Sequence, residues 1–376
     1  MEFKINNDYF NKAISEVSKA VSSRTTLPIL TGIKITADTE GLTLIGSNSD
    51  IVIERNLPSS SDGENMLEVF KKGSVVISAK YLSEITKKLP GDIYLKANEN
   101  QSVVIQSDEI VTKLNGLNAE EYPSLPEVHL SNNYKMNSDD LIDMIKQTVF
   151  AASKSETRPV LTGVNFSIEE SVLTCVATNS NRLALKKYQV ETNLSGSFIV
   201  PGSSLIEFMR LFASYTTEID IYATETNIVF KSNTISLYSR LIEGVYPNVS
   251  GLIPEQSSTV ITLDTIQLLK GIDRASLFAS EWRNNNISLQ VTDQSRIKIY
   301  SKASEMGQIE ETQYIKNISG DAELNITLDG NFMMDALKAI KEDEVKLCFN
   351  GSMRPILVLP VRNDFQLQLI SPVRSY

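Results

Sequence analysis

Apolar positions along this chain switch between two periods. Over residues 8–21, Phe10, Ala13, Ile14, Val17 and Val21 fall at i, i+3, i+4 and i+7 spacing, which predicts an amphipathic helix with one apolar stripe. Asp8 stands where a helix start favours a carboxylate. The same reading predicts helices at 79–88, 138–154, 203–213, 264–274 and 330–341, with Ser138 as an N-cap followed by Asp139 and Asp140 in the first turn. Between them the period drops to two, in Gly41-Leu-Thr-Leu-Ile-Gly, Ile51-Val-Ile-Glu-Arg, Val172-Leu-Thr-Cys-Val-Ala, residues 228–231 and Ile356-Leu-Val-Leu. Six helices among many strands make the class α+β with extensive antiparallel sheet.

The pattern also repeats at a long period. Three segments each run from a strand into a short helix, beginning at Gly73-Ser-Val-Val-Ile-Ser-Ala-Lys, Gly196-Ser-Phe-Ile-Val-Pro-Gly-Ser and Glu323-Leu-Asn-Ile-Thr-Leu-Asp-Gly, 123 and 127 residues apart. Ahead of the first two stand Thr26-Leu-Pro-Ile-Leu-Thr-Gly-Ile and Arg158-Pro-Val-Leu-Thr-Gly-Val, each after an amphipathic helix; the third unit keeps the helix and loses that turn at 275–288. Glu121-Tyr-Pro-Ser-Leu-Pro-Glu and Val245-Tyr-Pro-Asn-Val-Ser-Gly-Leu-Ile-Pro close the first two units and read as linkers. The chain therefore divides into 1–127, 128–254 and 255–376. Its 376 residues agree, because one core seldom organises more than ~250–300 residues.

Composition removes several chemistries. The single histidine, His129, excludes His triads, HExxH sites and paired-His metal centres. Two cysteines, Cys175 and Cys348, cannot build a disulfide framework or a multi-cysteine metal site, and no ~18-residue apolar run or basic leader occurs, so a cytoplasmic location with no membrane contact is expected. The net charge of −10 disfavours tight wrapping of nucleic acid, yet it is unevenly placed. The six helical windows carry 12 basic and 10 acidic residues, leaving strands and loops at −12. Lysines late in helices also complement the macrodipole. If the helices instead line one surface, spacing of ~10 Å puts six on a circle ~19 Å across, too narrow for a duplex of ~20 Å, whereas twelve from two chains leave a hole of ~28 Å.

Five strings in order, Thr26-Leu-Pro-Ile-Leu, Thr157-Arg-Pro-Val-Leu-Thr-Gly-Val, Ala177-Thr-Asn-Ser-Asn-Arg-Leu-Ala, Ser239-Arg-Leu-Ile-Glu-Gly-Val-Tyr-Pro and Ser371-Pro-Val-Arg-Ser-Tyr, span the whole chain. They resemble the bacterial DNA polymerase III β sliding clamp, of the low-GC Gram-positive type. The resemblance implies the DNA clamp fold: three repeated domains, each with two helices backed by antiparallel sheets, forming half of a ring. It implies a head-to-tail homodimer around double-stranded DNA, without sequence specificity, catalysis or cofactor, associated with the nucleoid. Implied partners are the replicative polymerase alpha subunit, the clamp loader, and other polymerases and repair proteins carrying short hydrophobic peptide motifs.

The family's peptide cleft carries over onto Leu161, Thr178, Asn181, Arg182, Leu183, Pro247, Leu369, Ile370, Pro372, Val373 and Arg374, an apolar groove with a cationic rim suited to Leu or Phe anchors. Without the resemblance, Leu161, Leu183 and Ile370 would read as core. Asn181 replaces the family's common histidine, and Gly251 stands where a cation often follows the linker proline. The DNA-facing set implied is Arg24 with the helix-face residues Lys12, Lys19, Lys80, Lys87, Lys146, Arg210, Lys270 and Lys338; the subunit junction falls on Leu277 and Phe278 and on Leu114 in an edge strand.

Two rival classes compete. Glu310 with Glu311, or Asp139, Asp140 and Asp143, could hold Mg2+ in an enzyme, but no glycine-rich phosphate loop or nucleophile and base pair accompanies them. The alternative is an intracellular scaffold that binds peptides and never encloses DNA.

Overall fold

The computed structural model describes residues 1–22, 25–61, 64–126, 133–192, 194–279, 285–293, 295–303, 307–321 and 323–373; Arg24, His129 and Arg374 lie outside them. Among the described residues are six α-helices: α1 Asn7–Val17, α2 Ala79–Thr86, α3 Ser138–Lys146, α4 Gly202–Phe212, α5 Thr265–Ala279 and α6 Gly330–Ala339. Their number and order follow the hydrophobic periodicity, and their ends differ from it for local reasons. At Ser18 the hydroxyl bonds back to the Ile14 carbonyl at 2.6 Å and the chain tightens into the turn Ser18–Ala20, so the first helix stops before Val21. Thr148 does the same to Met144 at 2.8 Å, which ends the helix expected over 138–154 early and leaves the turn Val149–Ala151. Asn137, rather than Ser138, presents its carboxamide to the N–H of Asp139 at 2.9 Å; the Ser138 hydroxyl is buried and donates to the Tyr215 carbonyl. In the third repeat α5 continues to Ala279, so the segment read as a lost turn begins as helix.

Each repeat follows its first strand and helix with a three-stranded antiparallel meander: Gly32–Ala37, Gly41–Ser47 and Ile51–Pro58; then Gly163–Glu169, Val172–Thr178 and Arg182–Gln189; then Asn286–Asp293, Arg296–Ala303 and Gly307–Tyr314. The two Pro-x-Leu-Thr-Gly segments are single turns, Pro28–Thr31 and Pro159–Thr162, whose threonine hydroxyls return to the proline carbonyls at 2.8 and 2.7 Å and launch the first strand.

Neighbouring repeats share sheets. Ile51–Pro58 pairs with Ile235–Arg240, the closing strand of the second repeat, with Ile53 opposite Leu237, in an eight-stranded sheet. Arg182–Gln189 pairs in the same way with Gln366–Ile370, the closing strand of the third, with Leu183 opposite Leu369, in a nine-stranded sheet. The third strand of the third repeat, Gly307–Tyr314, and the closing strand of the first, Ile110–Asn115, are both sheet edges.

By packing, the chain separates into Met1–Asp139 with Ile206–Leu241, and Asp140–Leu205 with Ile242–Tyr376. In the first unit α1 buries Phe10, Ala13, Ile14 and Val17, and the alternation of Ile51–Pro58 turns Arg55 inward with Ile51, Ile53 and Leu57. A charge placed there needs a partner. Glu16 on α1 supplies it, with Oε2 3.0 Å from Arg55 Nε and both side chains 7% exposed. The Tyr215 hydroxyl donates to the same carboxylate, and burial, then that bond, pushes the tyrosine pKa up. The rings of Phe208, Phe212 and Phe230 fill the space nearby in the chain, with centroids 4.7 and 4.8 Å apart. In the second unit Ile261, Leu268, Ile272, Leu289, Ile299, Leu328 and Phe349 form the third repeat's core. Cys175 and Cys348 are both buried free thiols. Among the described residues no helix is long and apolar enough to cross a membrane.

Removing one member of a buried ion pair strands the other. Glu16→Ala is therefore expected to lower stability by ~3–5 kcal/mol, and the paired change Glu16→Leu with Arg55→Met by much less. Urea unfolding followed by circular dichroism measures both, and equal losses would contradict the buried-charge account.

Candidate functional site

Most residues of the expected groove gather at the second sheet junction. In the turn between Val172–Thr178 and Arg182–Gln189, Asn179 Oδ1 accepts the N–H groups of Asn181 and Arg182, both at 3.0 Å, and Ser180 takes a left-handed φ of 77°. The Thr178 hydroxyl donates to the Arg182 carbonyl at 2.6 Å. The departing C-terminal segment is fastened alongside: Ser371 N–H donates to the Asn181 carbonyl and Val373 N–H to the Thr327 carbonyl, each at 2.8 Å. Tyr246, from the second Tyr-Pro segment, accepts the Thr178 N–H at 3.0 Å, and burial pushes its pKa up to about 12.

Leu183 and Leu369 belong to one apolar cluster with Val176, Cys348 and Leu357, against which Tyr246, Val249 and Ile253 pack. Leu161 and Thr178 are buried, Pro372 and Val373 half-buried, and Asn181 and Pro247 exposed. Ile370 points the other way, into the third repeat's core, as alternation along a strand requires. Gly251 leaves open space, since a Cβ there would meet nothing within 4 Å.

Arg182 is not a rim cation. Strand pairing carries its side chain inward, where Nη1 donates to Asp335 of α6 at 2.7 Å, Nη2 to the Phe150 carbonyl, and the guanidinium lies between two rings, 4.4 Å from the Phe332 centroid and 5.2 Å from that of Phe150. Its side chain is 10% exposed and that of Asp335 38%. The guanidinium thus ties the groove's turn to α6, beside a recess of about 190 Å3 bordered by Lys146 of α3 and Lys338 of α6. Asp335, Phe150 and Phe332 were not singled out from sequence; they lie far from Arg182 in the chain and carry no local pattern.

The helix-face cations divide into two groups. Lys12, Lys80, Lys87, Lys146, Lys270 and Lys338 are exposed and make no ion pair among the described residues, although Lys12 sits 4.5 Å over the Tyr215 ring. Lys19 and Arg210 are engaged with each other and their surroundings: Lys19 Nζ donates to the Arg210 carbonyl at 2.8 Å, and Arg210 pairs with Glu207.

At the open sheet edges, Leu114 lies half-buried on Ile110–Asn115, opposite Val103. Leu277 and Phe278 occupy the last turn of α5. That helix is bound to the edge strand Gly307–Tyr314 by a bidentate Arg274 to Glu311 pair, both bonds 2.7 Å, and by Gln313 donating to the Gln267 carbonyl at 2.8 Å. Leu277 is 71% exposed, so it is not core of its own repeat.

The acidic clusters weighed as an enzyme's metal site are dispersed into separate bonds. Glu310 pairs with Lys298 and Glu311 with Arg274; Asp140 accepts from Tyr188, Asp143 pairs with Lys341, and Asp139 accepts from Thr216. No three metal-ligating side chains converge among the described residues.

Three like repeats that share sheets, six helices bearing exposed cations, and an apolar cluster at a sheet junction define a triplicated, sheet-joined class of chain. The chain matches the family descriptions "DNA polymerase III beta subunit" for the N-terminal domain over residues 1–126, the central domain over 135–248 and the C-terminal domain over 250–374. It is 41% identical to the beta sliding clamp of Bacillus subtilis and 40% to that of Staphylococcus aureus, covering 100% of each and of itself. The crystal structure of the Bacillus subtilis DNA polymerase sliding clamp superposes with a TM-score of 0.97 at 41% identity, again over 100% of both chains. The chain belongs to the DNA polymerase III beta subunit family, the sliding clamps of bacterial DNA polymerases.

Because Arg182 is buried and Asp335 is part-solvated, the two members of their pair are unequal. Asp335→Ala strands a buried cation and is expected to cost about 2 kcal/mol after solvent screening, whereas Arg182→Met leaves a carboxylate that water can reach and costs less. Urea midpoints of the two variants check this order; the reverse order would show that Arg182 is not the desolvated member.

Proposed function

We propose that the chain acts as a DNA sliding clamp by enclosure: two copies close head to tail around duplex DNA and hold a polymerase there through short peptides seated in the groove. The observation that carries this is the repeated junction. The third strand of one repeat pairs with the closing strand of the next at Ile51–Pro58 with Ile235–Arg240 and again at Arg182–Gln189 with Gln366–Ile370. Continuing the series, Gly307–Tyr314 pairs with Ile110–Asn115, and within one chain both remain edges. A second copy supplies each missing strand, two such joints close a dimer, and neither of these two edges stays open. Leu277, Phe278 and Leu114 then lie in the joint, where the exposure of Leu277 gives way to burial.

The division into 1–127, 128–254 and 255–376 gives each repeat two helices. Enclosure needs no grip. The six lysines without an ion pair among the described residues, together with Lys19, Arg210 and Arg24 of the proposed set, attract phosphate diffusely and read no base, which leaves the ring mobile along any sequence. In the groove, Leu161, Leu183 and Leu369 receive apolar anchors; Asn181, Pro247, Pro372 and Val373 border them, with Thr178 and Arg182 holding the turn in shape and Ile370 holding the strand. Arg374 completes the proposed set. Polymerase, clamp loader and repair proteins compete for that groove in the cytoplasm, at the nucleoid, and the chain itself performs no chemistry.

Loading onto a nicked circular plasmid with a clamp loader, followed by gel filtration, tests the proposal. The protein is expected to co-elute with the circle and to be lost once a single cut makes it linear, and Leu277→Asp with Phe278→Asp is expected to abolish retention by burying charge in the joint. Equal retention on circular and linear DNA would overturn enclosure.

A further inference from the structure

The turn that borders the groove in the second repeat, Thr178-Asn-Ser-Asn-Arg-Leu183, has a counterpart in the first, Ser47-Asn-Ser-Asp-Ile-Val52. The two share an Asn-capped backbone frame. Asn48 Oδ1 accepts the N–H groups of Asp50 and Ile51 at 2.8 and 2.9 Å, as Asn179 does for Asn181 and Arg182. The Asp50 carbonyl accepts the Arg240 N–H at 2.9 Å, as that of Asn181 accepts Ser371. The two Tyr-Pro phenols differ: Tyr246 accepts the Thr178 N–H, whereas the Tyr122 hydroxyl donates to the Gly32 and Ile45 carbonyls, both at 3.4 Å.

The side chains differ. Register places Tyr238 opposite Val52 and Ser239 opposite Ile51, where the second repeat has Leu369 opposite Leu183 and Ile370 opposite Arg182. A cavity of about 300 Å3 results, bordered by Ser47, Asn48, Asp50, Asn227, Tyr238 and Arg240 and walled by Pro123 and Pro126. Its volume lies at the lower end of ligand sites, enough for two or three side chains of a peptide.

We propose that this cavity is a second peptide-docking site, which takes a short extended segment carrying one acidic side chain flanked by hydroxyl or amide side chains. It extends the peptide reading of the first groove, on which it rests for the mode of binding. The backbone frame that borders an extended chain is kept, while the apolar anchors are gone: a leucine placed against Ser47, Asn227 and the Tyr238 hydroxyl would cover polar groups without an apolar partner. Arg240 is exposed and makes no ion pair among the described residues, so its planar fork is available for a carboxylate. Asp50 across the cavity repels a second acid and, with only one cation present, disfavours a run of phosphates. The Tyr238 hydroxyl is already committed to Glu54, at 3.2 Å, which fixes its ring as a wall.

The test uses three labelled pentapeptides on the full-length protein: Gly-Ser-Asp-Gln-Gly, its Asp→Lys form, and one carrying Leu and Phe. Each has a photo-crosslinking group and is titrated to about 1 mM, the range of a weak single-anchor contact. The acidic peptide is expected to crosslink within residues 47–52 or 227–240, the lysine form not to, and Arg240→Glu to weaken the acidic peptide at least tenfold while leaving the Leu and Phe peptide and the unfolding midpoint unchanged. Acidic-peptide binding that ignores Arg240→Glu, crosslinks elsewhere, or fails while the Leu and Phe peptide binds would overturn the proposal. Failure of the Leu and Phe peptide alone would instead count against the groove, and the two readings are scored separately.

Discussion

Backbone hydrogen bonding between successive repeats is the constraint from which the rest of the molecule follows. A strand edge carries a row of unpaired N–H and C=O groups, and each repeat here ends its meander on such an edge. Twice the next repeat's closing strand satisfies it, merging two modest sheets into sheets of eight and nine strands. Within the chain the third strand of the third repeat, Gly307–Tyr314, and the closing strand of the first, Ile110–Asn115, are left without such a partner. On the proposed reading, a second copy supplies the third joint.

Each joint is also secured by a buried charge. At the first, Arg55 points inward from the pairing strand and meets Glu16 with the Tyr215 hydroxyl. At the second, Arg182 occupies the position opposite Ile370 and reaches Asp335 between two aromatic rings. Such pairs contribute little net stability against apolar substitutes, yet they punish any shift in register, because a displaced guanidinium would lie unpaired in a dry interior. Arg182 has a second consequence. It starts in the turn after Val172–Thr178 and ends on the helix that carries Lys338, so one guanidinium ties that turn to α6.

Much of this was legible in the sequence. The threefold repeat and the six helices follow from periodicity and from the Pro-x-Leu-Thr-Gly strings, because local spacing encodes which face of an element is buried. The resemblance supplied the groove's membership. What sequence alone could not supply were contacts between distant residues: Asp335 lies 153 positions from Arg182 and is an ordinary helix carboxylate until the fold brings them together. Helix ends were misjudged where Ser18 and Thr148 return their hydroxyls to the backbone, a competition that the apolar stripe does not record. The tyrosines of the Tyr-Pro strings carry a signal of their own, since Tyr246 accepts the Thr178 N–H and so holds that turn.

The third joint is the central claim, and the mass and shape of the purified protein test it most directly. Sedimentation at micromolar concentration is expected to give twice the 41.8 kDa chain mass, with electron micrographs showing a closed annulus pierced by a hole wide enough for a duplex. A particle of 41.8 kDa without an opening would contradict it.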